Sequence, residues 1–188
     1  MALNPDGELI SRIAAGDAAA TKAFVDRHLR RIVAIAQRML GDAHEAEDVS
    51  QEVFLRAWRE AARWRPGQAK FETWMHRVAL NLCYDRLRRR REISDPDAGL
   101  GHADPSPGAS EAWLSAQRAQ RVRAALAALP ERQRAAIALC HFEEMPQAEV
   151  AAAMEVSIDA LESLLARGRK ALRAALADVA DDLLGDAS

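Results

Sequence analysis

Five arginines, Arg86 and Arg88 to Arg91, fill five of the last six positions of "NLCYDRLRRRR" (81–91), in a chain whose formal net charge is −2. Guanidiniums at that density have two uses. They can finish a helix, whose C-terminal carbonyls carry partial negative charge, or they can hold a polyanion such as nucleic acid, an effect that is local and need not show in the total charge. The run alone leaves both open. Its surroundings are basic: residues 1–92 carry 17 Lys+Arg against 13 Asp+Glu, net +4, whereas 93–110 and 111–188 are each net −3.

Three further patterns accompany the run. Asp48, Gln51, Glu52, Leu55 and Arg59 share one stripe at 100° per residue, on the side away from the apolar positions. An apolar knob ringed by acids fits a basic partner with a groove; a solvated helix face with one stray leucine is the plainer alternative. Thr73, Arg77, Asn81, Tyr84 and Arg88 lie along one line of the helix that carries the arginines. Hydrogen-bonding groups, one aromatic face and guanidiniums in a row suit a nucleic-acid strand. Just before it, "RWRPGQAK" (63–70) offers Trp64, Arg65 and Lys70 in a loop able to stack an unpaired base. For Trp74, on the apolar stripe, core packing is expected instead.

Catalytic chemistry finds no comparable support. The five His and two Cys are scattered, no Gly-rich phosphate loop occurs, and the helix-borne acids lack a paired acid or base. The reading is of a non-enzyme with no metal and no cofactor. Cys83 and Cys140 stand outside any Cys-x-x-Cys spacing, so two ordinary thiols in a reduced, cytoplasmic setting are expected. No run of eighteen apolar residues occurs, and the start lacks the pattern of a secretory signal, so no membrane insertion is expected.

The elements that must position these groups are helices. Hydrophobic content is 49% but aromatics only 5%, a mixture rich in Ala that fills helix faces better than sheets. Apolar residues recur at helical spacing through Val25–Leu40, ended by Gly41, then Val49–Trp58, then Phe71–Leu82. Past "ISDPDAGLGHADPSPGAS" (93–110), which reads as a flexible acidic linker, the pattern predicts helices near 111–128, 131–142, 147–153 and 158–176. The last two, with Ser157 as N-cap, form a helix-turn-helix. On its second helix Ile158, Leu161, Leu164, Leu165 and Leu172 are expected inside, and Asp159, Glu162, Ser163, Ala166, Arg167, Arg169, Lys170 and Arg173 outside. The expectation is an all-α chain of two small helical domains, 1–92 and 111–188, joined by the linker.

Taken together, "AHEAEDVSQEVFLRAW", "FETWMHRVALNLCYDRLRRRR" and "LPERQRAAIALCHFEEMPQAEVAAAM" resemble, in order and over nearly the whole chain, the bacterial sigma factors of the extracytoplasmic-function group. The resemblance implies partners: RNA polymerase core (the clamp helices of its large subunit and the flap), promoter DNA and an anti-sigma factor, through which the protein could be held at the inner membrane without inserting into it. It implies that Asp48, Gln51, Glu52 and Leu55 contact the clamp helices. It implies that Trp64, Arg65, Lys70, Arg77, Asn81, Tyr84, Arg88 and Arg89 serve the minus-ten element, with a base flipped into loop 64–70. Ser157, Asp159, Glu162, Ser163, Ala166, Arg167 and Lys170 would then serve the minus-thirty-five element, and the linker would thread the polymerase channel towards the RNA exit.

One departure concerns the reading helix, where relatives commonly place Lys or Arg and this chain has Glu162. A glutamate can accept from cytosine N4, or it can sit on the surface touching no base. The rival reading is a stand-alone helix-turn-helix regulator, which would need paired half-sites; no long dimerising helix or ligand domain is seen to supply them.

Overall fold

In a computed structural model, residues 6–65, 70–93 and 111–177 are described, with side chains from 116 in the last segment. The elements are α1 (Gly7–Ala14), α2 (Ala18–Leu40), α3 (Ala43–Ala61), α4 (Phe71–Ile93), α5 (Glu111–Ala128), α6 (Glu131–Ile137) running into a π-helical turn (Ala138–Phe142), α7 (Gln147–Met154) and α8 (Ile158–Ala175). All described regular structure is helical, in two units as expected. The linker of 93–110 lies outside the described residues apart from Ile93, as do Pro66–Ala69 of the base-accepting loop.

The boundaries have local causes. Asp17 accepts from the backbone amides of Ala19 and Ala20 and opens α2; Asp42 accepts from Glu45 and opens α3; Ser157 accepts from Ala160 and opens α8. Gly41, at φ +71°, ends α2 in the left-handed conformation that an L side chain adopts only with strain. Helix α1 has no counterpart among the elements expected from the sequence. Its anchor is polar: buried Asp6, at its N-cap, lies 2.6 Å from Arg27 and 3.0 Å from His28 of α2.

The first unit packs α2, α3 and α4 around Phe24, Ile32, Ile35, Met39, Val49, Val53, Phe54, Phe71, Met75 and Leu80, all nearly solvent-free. The second packs α6, α7 and α8 around Ile137, Leu139, Val150, Leu161 and Leu165. There Gly168 permits the close approach of α8 to α6, since a Cβ on it would stand 3.0 Å from Ile137 Cγ1. Periodicity misplaces three side chains. Leu29, Trp58 and Ile158 have the spacing of inward residues, yet they are 41%, 38% and 49% exposed.

The units also touch each other. Helix α4 packs on α7, and α2 on α5, α6 and the π turn. The guanidinium of Arg134 joins them: it donates to the carbonyls of Ala127 and Leu129, at the end of α5, and at 2.5 Å to that of Met39, at the end of α2. One buried cation thus satisfies carbonyls that two helix ends leave without intrahelical partners.

Candidate functional site

On α3, Asp48, Gln51 and Leu55 are exposed and Glu52 half-exposed, on the face turned from the core. The patch is flanked on both sides. Towards α2 lies an apolar groove of about 580 Å³, lined by Val25, Leu29, Val33, Phe54, Leu55 and Trp58. Towards α4 the same acids share a cleft with Leu82, Asp85, Arg86 and Arg89, and Arg86 comes within 3.5 Å of Asp48. Sequence reading misses Leu29 and Trp58 as surface groups, because their helical period is that of the core.

The α4 face is less open. Asn81 and Arg88 are exposed, Arg77 and Tyr84 half-buried, and Thr73, expected on the outer line, is buried at 4%. Burial pushes the Tyr84 hydroxyl up to about 12, and that hydroxyl, like Arg77 Nε, is enclosed without a hydrogen-bond partner. Trp64 sets its ring edge-on to Phe71 at 4.8 Å, beside Trp74; both tryptophans are half-buried and Arg65 is exposed. Lys70 forms an ion pair with Glu149 of α7, which raises its amine above the ordinary range first through the hydrogen bond and then through charge. Arg77 pairs with Glu155, in the turn before α8, at 3.0 Å.

The arginine run divides. Arg90 donates to the Leu40 carbonyl and pairs with Glu45 at 2.8 Å, so it closes the end of α2 rather than of its own helix. Arg91 pairs with Glu131 of α6 at 2.7 Å, and Arg88 pairs with Asp85 of its own helix at 2.9 Å. Arg88 and Arg89, both expected at the minus-ten element, are the two that stay exposed without a tie to another helix end.

At the N-cap of α8 Ser157 is exposed, and along the helix Asp159, Glu162, Ser163, Ala166, Arg167 and Lys170 are exposed, as are Arg169 and Arg173. Leu161 and Leu165 hold the opposite face in the core. Helix α7, the turn at Glu155 (φ +54°) and α8 make the helix-turn-helix that the sequence suggests. Among the described residues no cluster of His, Cys, Asp and Glu could hold a metal ion, and no helix is long and apolar enough to cross a membrane.

A helix-turn-helix unit beside a bundle with a cationic helix defines a nucleic-acid-binding protein of the two-domain helical class. The family comparisons narrow this. Sigma-70 region 2 matches residues 24–93, and Sigma-70 region 4 matches residues 119–172. Relatives include ECF RNA polymerase sigma factor SigE of Mycolicibacterium smegmatis, 35% identical over 87% of this chain and 65% of that protein. RNA polymerase sigma-H factor of Pseudomonas aeruginosa is 30% identical over 91% of this chain and 93% of that one. Among solved structures, CnrH in complex with the cytosolic domain of CnrY superposes with TM-score 0.68 at 27% identity, over 97% of this chain and 99% of that one. The sigma factor RpoE of Bartonella quintana, in complex with the anti-sigma factor NepR, gives 0.65 at 25% identity, over 82% and 95%. The chain belongs to the ECF group of the sigma-70 family of RNA polymerase sigma factors, as ECF RNA polymerase sigma factor SigM of Mycobacterium tuberculosis, 31% identical over 89% of this chain and 82% of that one, also indicates.

Proposed function

We propose that the chain is an alternative sigma factor that joins core RNA polymerase, directs it to a set of promoters and is itself held by an anti-sigma factor. Three surfaces divide the work. Asp48, Gln51, Glu52 and Leu55 dock on the clamp helices of the large polymerase subunit. Trp64, Arg65, Lys70, Arg77, Asn81, Tyr84, Arg88 and Arg89 take the minus-ten strand, whose flipped base costs a few kcal/mol that stacking and backbone contacts offset. The outer face of α8 reads the minus-thirty-five element. The chain does no bond chemistry of its own. It acts in the cytoplasm, and any membrane tether belongs to its inhibitor. The complex of RpoE from Bartonella quintana with the anti-sigma factor NepR supports such a partner here.

The observation that carries the reading is the α3 patch. An outward, part-acidic stripe surrounds an exposed leucine and is continuous with an apolar groove, and its acids make only surface ion pairs, Asp48 with Arg86 and Glu52 with Arg56. Leu55→Arg with Glu52→Arg should leave helicity and melting unchanged and weaken core-polymerase binding by a few kcal/mol, the size of hot-spot losses. A folded variant with undiminished affinity for core would remove the docking assignment, and strong polymerase-free operator binding would favour a stand-alone regulator.

A further inference from the structure

Ion pairs between the two units run in one direction. Among the described residues, Arg31 and Arg38 meet Glu143, Lys70 meets Glu149, Arg77 meets Glu155 and Arg91 meets Glu131. In each of these pairs the cation comes from the first unit and the carboxylate from the second. The charge division along the sequence, +4 against −3, is therefore expressed as an interface, and the basic half already has a polyanion within its own chain.

We infer that the helix-turn-helix unit is an intramolecular mask: its carboxylates occupy the minus-ten edge of the first unit as nucleic-acid phosphates would. The inference rests on the assignment of Lys70 and Arg77 to DNA. Four further observations support it. Glu143 has only 10% of its side chain exposed and is held from two sides, by Arg38 at 2.5 Å and Arg31 at 3.4 Å, while its carbonyl accepts from Arg31 at 3.2 Å. The Arg38 guanidinium also lies 4.7 Å over the ring of Phe142. Arg134 bonds across both units. Tyr84, assigned to the DNA strand, has its hydroxyl enclosed.

The docking patch escapes this cover. Leu55 is 42% exposed and Trp58 38%, so core polymerase can engage the closed chain. Most of the pairs keep side chains in contact with water, where an ion pair is individually weak and screened by salt. That suits a mask which gives way once the two units are drawn onto a large partner.

The test is charge reversal on α2, away from every residue assigned to DNA or polymerase. Arg31→Glu with Arg38→Glu sets the two new carboxylates against Glu143 and against Glu72 of α4, which Arg31 also pairs at 2.7 Å, and makes the chain more negative. It should nevertheless bind a 20-nucleotide single-stranded DNA of mixed sequence more tightly than the natural protein, about tenfold if one natural chain in ten is open. Small-angle scattering of the full chain should show it extended at low salt, and adding Glu143→Lys should restore compaction and weak DNA binding. A chain that stays compact, or a natural chain already extended at low salt, overturns the closure and leaves the DNA assignment untouched. Extension with DNA binding unchanged or weakened overturns the mask through the assignment of Lys70 and Arg77.

Discussion

The two faces proposed to meet promoter DNA differ in how far the rest of the chain covers them. On α4 and the loop before it, Lys70 and Arg77 are each matched to a carboxylate of the other unit. On α8 the proposed reading residues face outward, and Arg167 bonds back to the Ser163 carbonyl of its own helix, at 3.2 Å. The minus-ten face is thus covered at Lys70 and Arg77, while its Arg65, Asn81, Arg88 and Arg89 stay exposed, and the face containing Asp159 and Glu162 is open throughout. Local density of Lys and Arg measures attraction for any polyanion, including one from the same chain; whether a face is available depends on what already sits on it.

The units differ most under acid. His76 on α4 is buried at 1%, with both ring nitrogens lacking a hydrogen-bond partner. Burial, with Arg31 and His28 adding repulsion, holds it down to about 3; Glu149 opposes them weakly, and Glu72 stands 4.0 Å away. From pH 6.5 down to 3 the unfolded chain therefore binds a proton that the folded chain refuses, and stability falls as pH falls. The loss is about 1.4 kcal/mol per pH unit well inside that window. Asp6 adds to it at the acid end: burial raises its pKa, but contacts with His28 and Arg27 outweigh that and leave it lowered, so its contribution is lost as pH drops through its folded value. His141 of the second unit is exposed. Hydrogen exchange between about pH 6 and 4.5, inside that window, should show protection in α2 and α4 falling faster than in α8, and His76→Leu should flatten that difference. Equal losses in the two units would mean that His76 does not govern acid stability.

The converse perturbation is Gly168→Val. A Cβ placed 3.0 Å from Ile137 Cγ1, with two methyls beyond it, forces α8 off α6 at about 1–3 kcal/mol. Melting followed by α8 probes should drop while the α2–α4 bundle keeps its protection. Loss of protection in both units at once would show that the interface couples them more tightly than weak ion pairs allow.

The order of α2 to α8 and the helix-turn-helix were legible because each rests on local causes: Gly41 as a stop, Ser157 as a cap, and a 3.6-residue period between such signals. What sequence reading could not supply was contact between distant segments. Arg90 looks like its neighbours in the run, yet it closes α2 from 50 residues away. Leu29 and Trp58 have the period of core residues, yet they line an open groove beside Leu55. Glu143, Glu149 and Glu155 carried no signal at all, since lone glutamates near turns are ordinary. Helix α1 depends on Asp6 finding Arg27 and His28, a pairing that no periodicity shows.

On the open face, Glu162→Lys tests whether exposure is used for reading. With core polymerase bound, a base contact by Glu162 predicts a changed minus-thirty-five preference, at about 1–3 kcal/mol per affected pair. Lys170→Ala should weaken all promoters alike, as removal of a phosphate partner does. Selection from randomised promoters with both holoenzymes separates the cases: if Glu162→Lys strengthens every sequence equally, Glu162 only tempers non-specific attraction.

The smallest effect belongs to the arginines, and it follows from their division. Arg90 is tied to Leu40 and Glu45, and Arg91 to Glu131, so neither is free for phosphate in the closed chain. Arg88 has 62% of its side chain exposed, its link to Asp85 lies within one turn, and Arg89 is exposed beside it. Such a short surface pair exchanges readily for a phosphate. Arg88→Ala with Arg89→Ala should leave melting unchanged and flatten the holoenzyme's plot of log affinity against log salt by about 2 units, roughly one for each phosphate no longer neutralised. Arg90→Ala should behave differently, lowering stability by about 1–2 kcal/mol through the carbonyl and carboxylate it abandons while leaving the slope nearly as it was. If instead Arg90→Ala flattens the slope as much as either neighbour, the α2 cap is released on promoter binding and the whole run faces DNA. If none of the three changes it, these guanidiniums serve the fold alone.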